Sequence, residues 1–428
     1  MVSAGRDHSL SLTDGPAKGS DELSLRDRNF HAFVEILPAP LQTNQSGTLT
    51  GQTFAAKDMF VFRDRHPLCG LSHPPALGLL GTASVISRLL DAGAGLAGFT
   101  TLTALAYEPS GVNGDGSRPI NPWGASLITG GSSSGSAVAV AACLVDFAIG
   151  SDTAGSLRIP AQACGVASYK PSYGLIPVDG AMTLAPSLDC VGVLARDVGL
   201  LQTVAKEFIG PSQADPLRFY FAADLDSLCA PEVTRQMQQL RMTMESQAVD
   251  YSSMSLMPMI KAADAPLFAL LEGEAAQSFS CLLKENILPE KLAHRLAKGQ
   301  RLDADTLHNA RQSAVALHAK WLEQLPPDAC VILPAMPCCT PEIDSCTQGS
   351  AQFSAKALYA LSEFTRLGSL LGLPVVTVPV GLDQRSAPLA VQVMGHRGQD
   401  LAVLAAALKI QSLFHFDELR SAMNGRDM

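Results

Sequence analysis

Ile128 to Pro160 reads ITGGSSSGSAVAVAACLVDFAIGSDTAGSLRIP, and the reading of this stretch decides the rest of the chain. Two Gly/Ser turns bracket an apolar run, Ala137 to Ile149, so packed structure holds two small-residue loops at a fixed separation. A flexible linker would continue into polar low-complexity sequence, whereas each cluster here abuts core-type residues. In Asp152-Thr153-Ala154-Gly155-Ser156 the small side chains let backbone N–H groups approach a ligand closely, as anion nests and oxyanion holes require. Ser156 ends that turn as a candidate nucleophile and still needs a base.

Upstream, TFAAKDMFVF from Thr53 to Phe62 places a single lysine, Lys57, in an apolar, strand-like run. A lysine in such a run snorkels or pairs with a carboxylate, or it is desolvated, acquires a lowered pKa and serves as a base.

At these residues the chain resembles the amidase signature family of Ser-Ser-Lys hydrolases. The matching pieces are the strand at Lys57, GGSSSGSAVAVAA from Gly130, GSDTAGSLRIPA from Gly150 and CGVASYKPSYG from Cys164, in that order. Leu184 to Asp189, Gly192, Ala195 to Asp197, Gly372 to Gly381, Val391 to Gly395 and Asp400 extend the likeness, so it covers Gly51 to Leu408. Within the family the chain is similar to short amidases related to indole-3-acetamide hydrolase. Two departures stand out: Ala154 and Ser134 occupy positions where many members have glycine.

The resemblance implies roles residue by residue. Ser156 is the nucleophile, Ser132 the bridging serine and Lys57 the base. The backbone N–H groups of Thr153, Ala154, Gly155 and Ser156 are the oxyanion donors, and Asp152, Arg158 and Ser133 brace them from behind. If position 154 requires a positive φ, Ala154 costs on the order of 1 kcal/mol and shifts a donor. The implied reaction is hydrolysis of a small amide to carboxylate and ammonia or amine. Carbamate or urea-type hydrolysis by the same triad, an amidotransferase subunit and a catalytically silent homologue are the alternatives.

The formal charge of −9, without a basic tract, gives no support to nucleic-acid binding. Ten scattered cysteines without CxxC spacing read as small core residues, and nine histidines without HExxH read as no metal site. No cofactor is expected. The N-terminus lacks an apolar h-region and no stretch of about 18 apolar residues follows, so a cytoplasmic protein without a membrane partner is expected. The expected partner is a small-molecule amide, and a homodimer is admitted.

Met1 to about Leu25 lacks periodicity and is read as a mobile arm; residues 26–428 are read as one amidase signature domain with a helical, cap-like part at about 200–325. The expected fold is α/β, a central mixed sheet flanked by helices on both faces, because strand-like and helix-like segments alternate. Phe30 to Leu37 leans towards a helix, Gly51 to Phe62 and Leu96 to Thr103 read as strands, and Thr82 to Gly93 and Ala137 to Phe147 as helices. Later helices are placed at Leu200–Phe208, Pro231–Gln247, Leu267–Lys284, Asp303–Leu325, Ala355–Leu371 and Leu401–Phe414. Strands are placed at Arg218–Phe221, Ala329–Ala335, Pro374–Val380 and Leu389–Met394. The loop Pro109 to Trp123, ending in Asn121-Pro122, is expected to line the acyl side of the pocket.

Overall fold

The apolar runs become strands whose alternate residues serve two cores. In the computed structural model, which describes residues 19–210, 215–285, 287–347 and 349–414, Phe54, Ala56, Phe147 and Ile149 belong to one apolar cluster. Their neighbours Ala55 and Ala148 belong to another, with Ala137 to Ala142. Because strand side chains alternate between faces, both faces of the sheet are covered.

Among the described residues the strands are β1 Phe33–Leu41, β2 Thr53–Lys57, β3 Gly95–Thr100, β4 Phe147–Asp152, β5 Ala167–Lys170, β6 Cys190–Ala195, β7 Arg218–Ala222, β8 Tyr251–Met254, β9 Ala329–Pro334, β10 Val375–Leu382 and β11 Pro388–Met394. They form one 11-stranded sheet in the order β1-β3-β2-β4-β6-β5-β10-β11-β9-β7-β8. The pairings β2–β3, β2–β4, β7–β8 and β7–β9 are parallel and the others antiparallel, so the sheet is mixed. The predicted α/β class and single sheet hold. The stretch from 200 to 325 is more than a helical cap, since it supplies β7 and β8 to one end of the sheet.

Four local expectations are corrected. Phe33 to Leu41 is a strand, not a helix, because Pro38 and Pro40 exclude a helix interior; as β1 it lies at a sheet edge, where missing N–H donors are tolerated. The expected arm lies outside the described residues up to residue 18, but Ser20–Asp27 is a helix that buries Leu23. The helix after the first serine turn is Ser134–Ala141 and ends early, because Phe147 already pairs with Phe54 of β2 and Ala195 of β6. The long helix expected at 355–371 is two short ones, Ala355–Ala360 and Arg366–Leu370. Between them Thr365 turns its hydroxyl onto the carbonyl of Ala154, 2.6 Å away.

This topology positions the site. β2 and β4 are parallel neighbours, so Lys57 at the C-terminal end of one and Ser151-Asp152 at the C-terminal end of the other emerge on the same side of the sheet.

Candidate active site

Lys57 is fully buried, and its Nζ donates to Ser132 Oγ at 2.7 Å and to Ser151 Oγ at 2.8 Å. Burial disfavours the ammonium form and pulls its pKa down to about 7, against the opposing fields of Asp152, Asp189 and Cys69. Among the described residues the lysine neither snorkels nor makes a direct ion pair, and its burial and lowered pKa are those of the desolvated alternative.

The second turn is held by a salt bridge from which water is excluded. Arg158 Nη2 donates to Asp152 Oδ1 at 2.8 Å and Nε to Oδ2 at 3.0 Å, with both side chains 0% exposed. Burial alone would raise the Asp152 pKa, but the charge and hydrogen bonds of Arg158 overcome it and hold the carboxyl at about 2. The rest of the guanidinium reaches Thr365 O, Gln392 Oε1 and Ser369 Oγ, at 2.7, 3.1 and 2.6 Å. The last third of the chain therefore grips the turn from behind.

One sequence expectation fails here. Gly155 N–H donates to Asp152 Oδ1 at 2.9 Å, so this group is spent inside the turn and is not an oxyanion donor. The remaining N–H groups of that assignment belong to Thr153, Ala154 and Ser156. The positive φ in the turn falls on Gly155, at +130°, where a Cβ would strike Thr365; Ala154 is not among the positive-φ residues and carries no such strain.

The two turns meet through backbone. Ser133 N–H donates to Ser156 O at 3.2 Å, and Ser133 Oγ donates to Ser151 O at 3.1 Å. Gly130, at φ +68°, lies so close to Pro160 that an added Cβ would come within 2.9 Å of its backbone. Ser136 pairs with Thr100 Oγ1 at 2.7 Å, and no side-chain cap hydrogen bond forms at the start of the helix.

Ser156 lines a cavity of about 340 Å³ together with Thr153, Ala154 and Ile159. Phe268, Leu271, Glu272, Arg295 and Lys298 come from the helices Met257–Ser278 and Glu290–Gly299. Phe353, Leu358, Tyr359 and Ser362 add a wall that sequence reasoning did not assign. Of the loop Pro109 to Trp123, Pro109 lines this cavity, while Asn121 ties Ile128 O to Ala163 O with hydrogen bonds of 2.8 and 2.9 Å. Ser151 and Thr365 were also missed. Ser151 stands inside the GSDTAGSLRIPA piece but was given no role there, and Thr365 stands in none of the matching pieces; strand pairing and the chain's return bring them to the site.

The amidase family model matches residues 37–251. The chain belongs to the amidase family. Amidase 1 of Arabidopsis thaliana is 39% identical over 213 residues, 48% of this chain and 50% of that protein, so the chain spans about half the length of this relative. Outer envelope protein 64, chloroplastic, from the same plant is 28% identical over 416 residues, 88% of this chain and 69% of the relative. A crystal structure of an amidase superposes with a TM-score of 0.81 at 25% identity, covering 92% of this chain and 95% of the other. These likenesses extend the amidase fold over β1 to β11, beyond the segment that the family model matches.

Proposed function

We propose that the protein hydrolyses the C–N bond of a small amide through an acyl-enzyme on Ser156, with Ser132 as the bridging serine and Lys57 as the base. The observation that carries this reading is the 2.7 Å hydrogen bond between Ser132 and a buried lysine whose pKa lies at about 7, beside the cavity that Ser156 lines. An amide has a weak electrophilic carbon and a poor leaving group, so a covalent intermediate and a returned proton both lower the barrier. Ser156 Oγ attacks the carbonyl carbon while its proton passes by way of Ser132 to neutral Lys57. The carbonyl π electrons move onto oxygen, which the N–H groups of Thr153, Ala154 and Ser156 receive. Collapse breaks the C–N bond, the amine leaves with the proton returned through Ser132, and water cleaves the ester by the same relay.

Ammonia release from aliphatic, aryl, indole-type and ureido amides, with Ser156→Ala beside the wild type, tests the reading. Turnover of one class that disappears in the variant supports it; turnover that survives overturns it. Carbon dioxide accompanying the ammonia assigns the same triad to a carbamate or urea-type bond instead.

A silent, binding role is the second reading, favoured by the similarity to an outer envelope protein over 88% of the chain. The joint presence of Lys57, Ser132 and Ser156 weighs against it, because packing alone does not call for that trio. Labelling of Ser156 by a fluorophosphonate separates the two. Among the described residues no helix is long and apolar enough to cross a membrane. A cytoplasmic location and a homodimer belong to this proposal, checked by fractionation and by sedimentation.

A further inference from the structure

Asp189 stands just ahead of β6, outside the proposed triad, and each of its carboxylate oxygens holds a different part of the cavity. Oδ1 accepts from Thr153 Oγ1 at 2.7 Å, inside the turn that ends in Ser156. Oδ2 accepts from the backbone N–H groups of Leu184 and Ala185, at 2.8 and 3.0 Å. Thr153 and Leu184 both line the cavity, so one carboxylate fixes their relative positions. The same segment is anchored once more: Ser187 N–H donates to Glu274 Oε2 at 2.9 Å, and Glu274 pairs with Arg311 at 3.0 Å. Glu274 lies on the helix Met257–Ser278, which also carries Phe268 and Leu271 into the cavity.

We propose that Asp189 is a positioning residue for the hydrolysis, holding the Thr153 donor of the oxyanion turn in register with the cavity wall at Leu184 and with the helix that covers the substrate. This rests on the hydrolase reading above. A threonine hydroxyl tethered to a carboxylate restricts χ1 and so anchors the residue that carries the donor N–H, and a donor displaced by a fraction of an ångström loses much of its effect on a developing oxyanion. A structural brace elsewhere in the sheet would show no such coupling to the reacting carbonyl.

The charge of Asp189 gives the test a second readout. The groups facing Lys57 are Ser132 and Ser151 by hydrogen bond, and Asp152, Asp189 and Cys69 through their fields. Asp189→Asn removes one negative field, makes the ammonium form less favourable and moves the rising limb of the pH profile to lower pH.

The experiment is the rate of fluorophosphonate labelling of Ser156 across pH in the wild type, Ser156→Ala, Asp189→Asn, Thr153→Val and Thr153→Ser, with a melting curve for each. Thr153→Val keeps the shape of the side chain and loses the tether. It is expected to label at least about tenfold more slowly, Thr153→Ser to recover most of that loss, and Asp189→Asn to be slowed with its limb shifted down. Wild-type rates in Asp189→Asn and Thr153→Val overturn the inference alone. If the loss in Thr153→Ser equals that in Thr153→Val, the tether is refuted as well. A wild type that labels no better than Ser156→Ala overturns the hydrolase reading and the inference with it.

Discussion

The Ser156 side of the cavity and its helical side are held together by different physics. On the first, Asp152 and Arg158 are both 0% exposed and every charge has a hydrogen-bonded partner. On the second, Lys298 pairs with Glu272 at 3.1 Å while 64% exposed, and Arg295 pairs with Glu108 at 3.4 Å while 36% exposed. Water screens the second set, and low dielectric amplifies the first. On the proposed reading, the comparison separates a side that cannot change without loss of hydrolysis from a side whose change alters which substrate fits.

The largest test of this contrast is on the proposed nucleophile and base. Ser156→Ala and Lys57→Ala are each expected to lower kcat/KM by about 10³-fold or more, measured by ammonia release. Near wild-type turnover in Lys57→Ala would remove the base from the scheme.

Next comes the buried pair. Arg158→Leu leaves Asp152 buried without its partner and is expected to cost about 3–5 kcal/mol of unfolding free energy in urea titration. The linkage has a sign: the folded Asp152 pKa of about 2 lies below the unfolded value of about 3.9. Its stabilising contribution is present above pH about 4 and is lost as pH falls towards about 2.

The pH profile follows. With Lys57 at about 7, the neutral base accumulates as pH rises through neutrality, so labelling and turnover climb there and level off about one unit higher. A profile flat from pH about 5 to 9 would break the assignment.

The helical side should respond by substrate rather than by stability. Phe268 stacks on Tyr359 at 5.6 Å, and both lie over Arg366. Phe268→Ala is expected to change the ratio of kcat/KM between two substrates of different width by about tenfold.

The smallest effects complete the series. Lys298→Gln should shift stability by no more than about 0.5 kcal/mol. Ala154→Gly should gain little turnover, since the φ that demands glycine belongs to Gly155. A large gain there would show that an oxyanion donor is displaced.

Much of the candidate site's make-up was legible because short motifs carry it. Lys57, Ser132, Ser156, Asp152 and Arg158 each stand within a run of small or apolar residues whose pattern restricts what they can do. The assignment of Gly155 as a donor failed because sequence order does not say which N–H an adjacent carboxylate will claim. Phe30 to Leu37 misled for a similar reason: its apolar spacing suits a helix, and Pro38 and Pro40, just past the window, decide against one.

By itself the sequence determined the two serine turns, the apolar strand that carries Lys57 and the mixed α/β architecture. All of these follow from local composition: glycine and serine where backbones approach, aliphatic runs where sheets bury both faces. Tertiary structure alone decided that Ser151 shares Lys57 with Ser132, that Thr365, Ser369 and Gln392 seize the turn from more than two hundred residues away, and that Asp189 ties Thr153 to the cavity wall. These are contacts between segments whose separation along the chain carries no periodicity, so only the closing of the sheet brings them together.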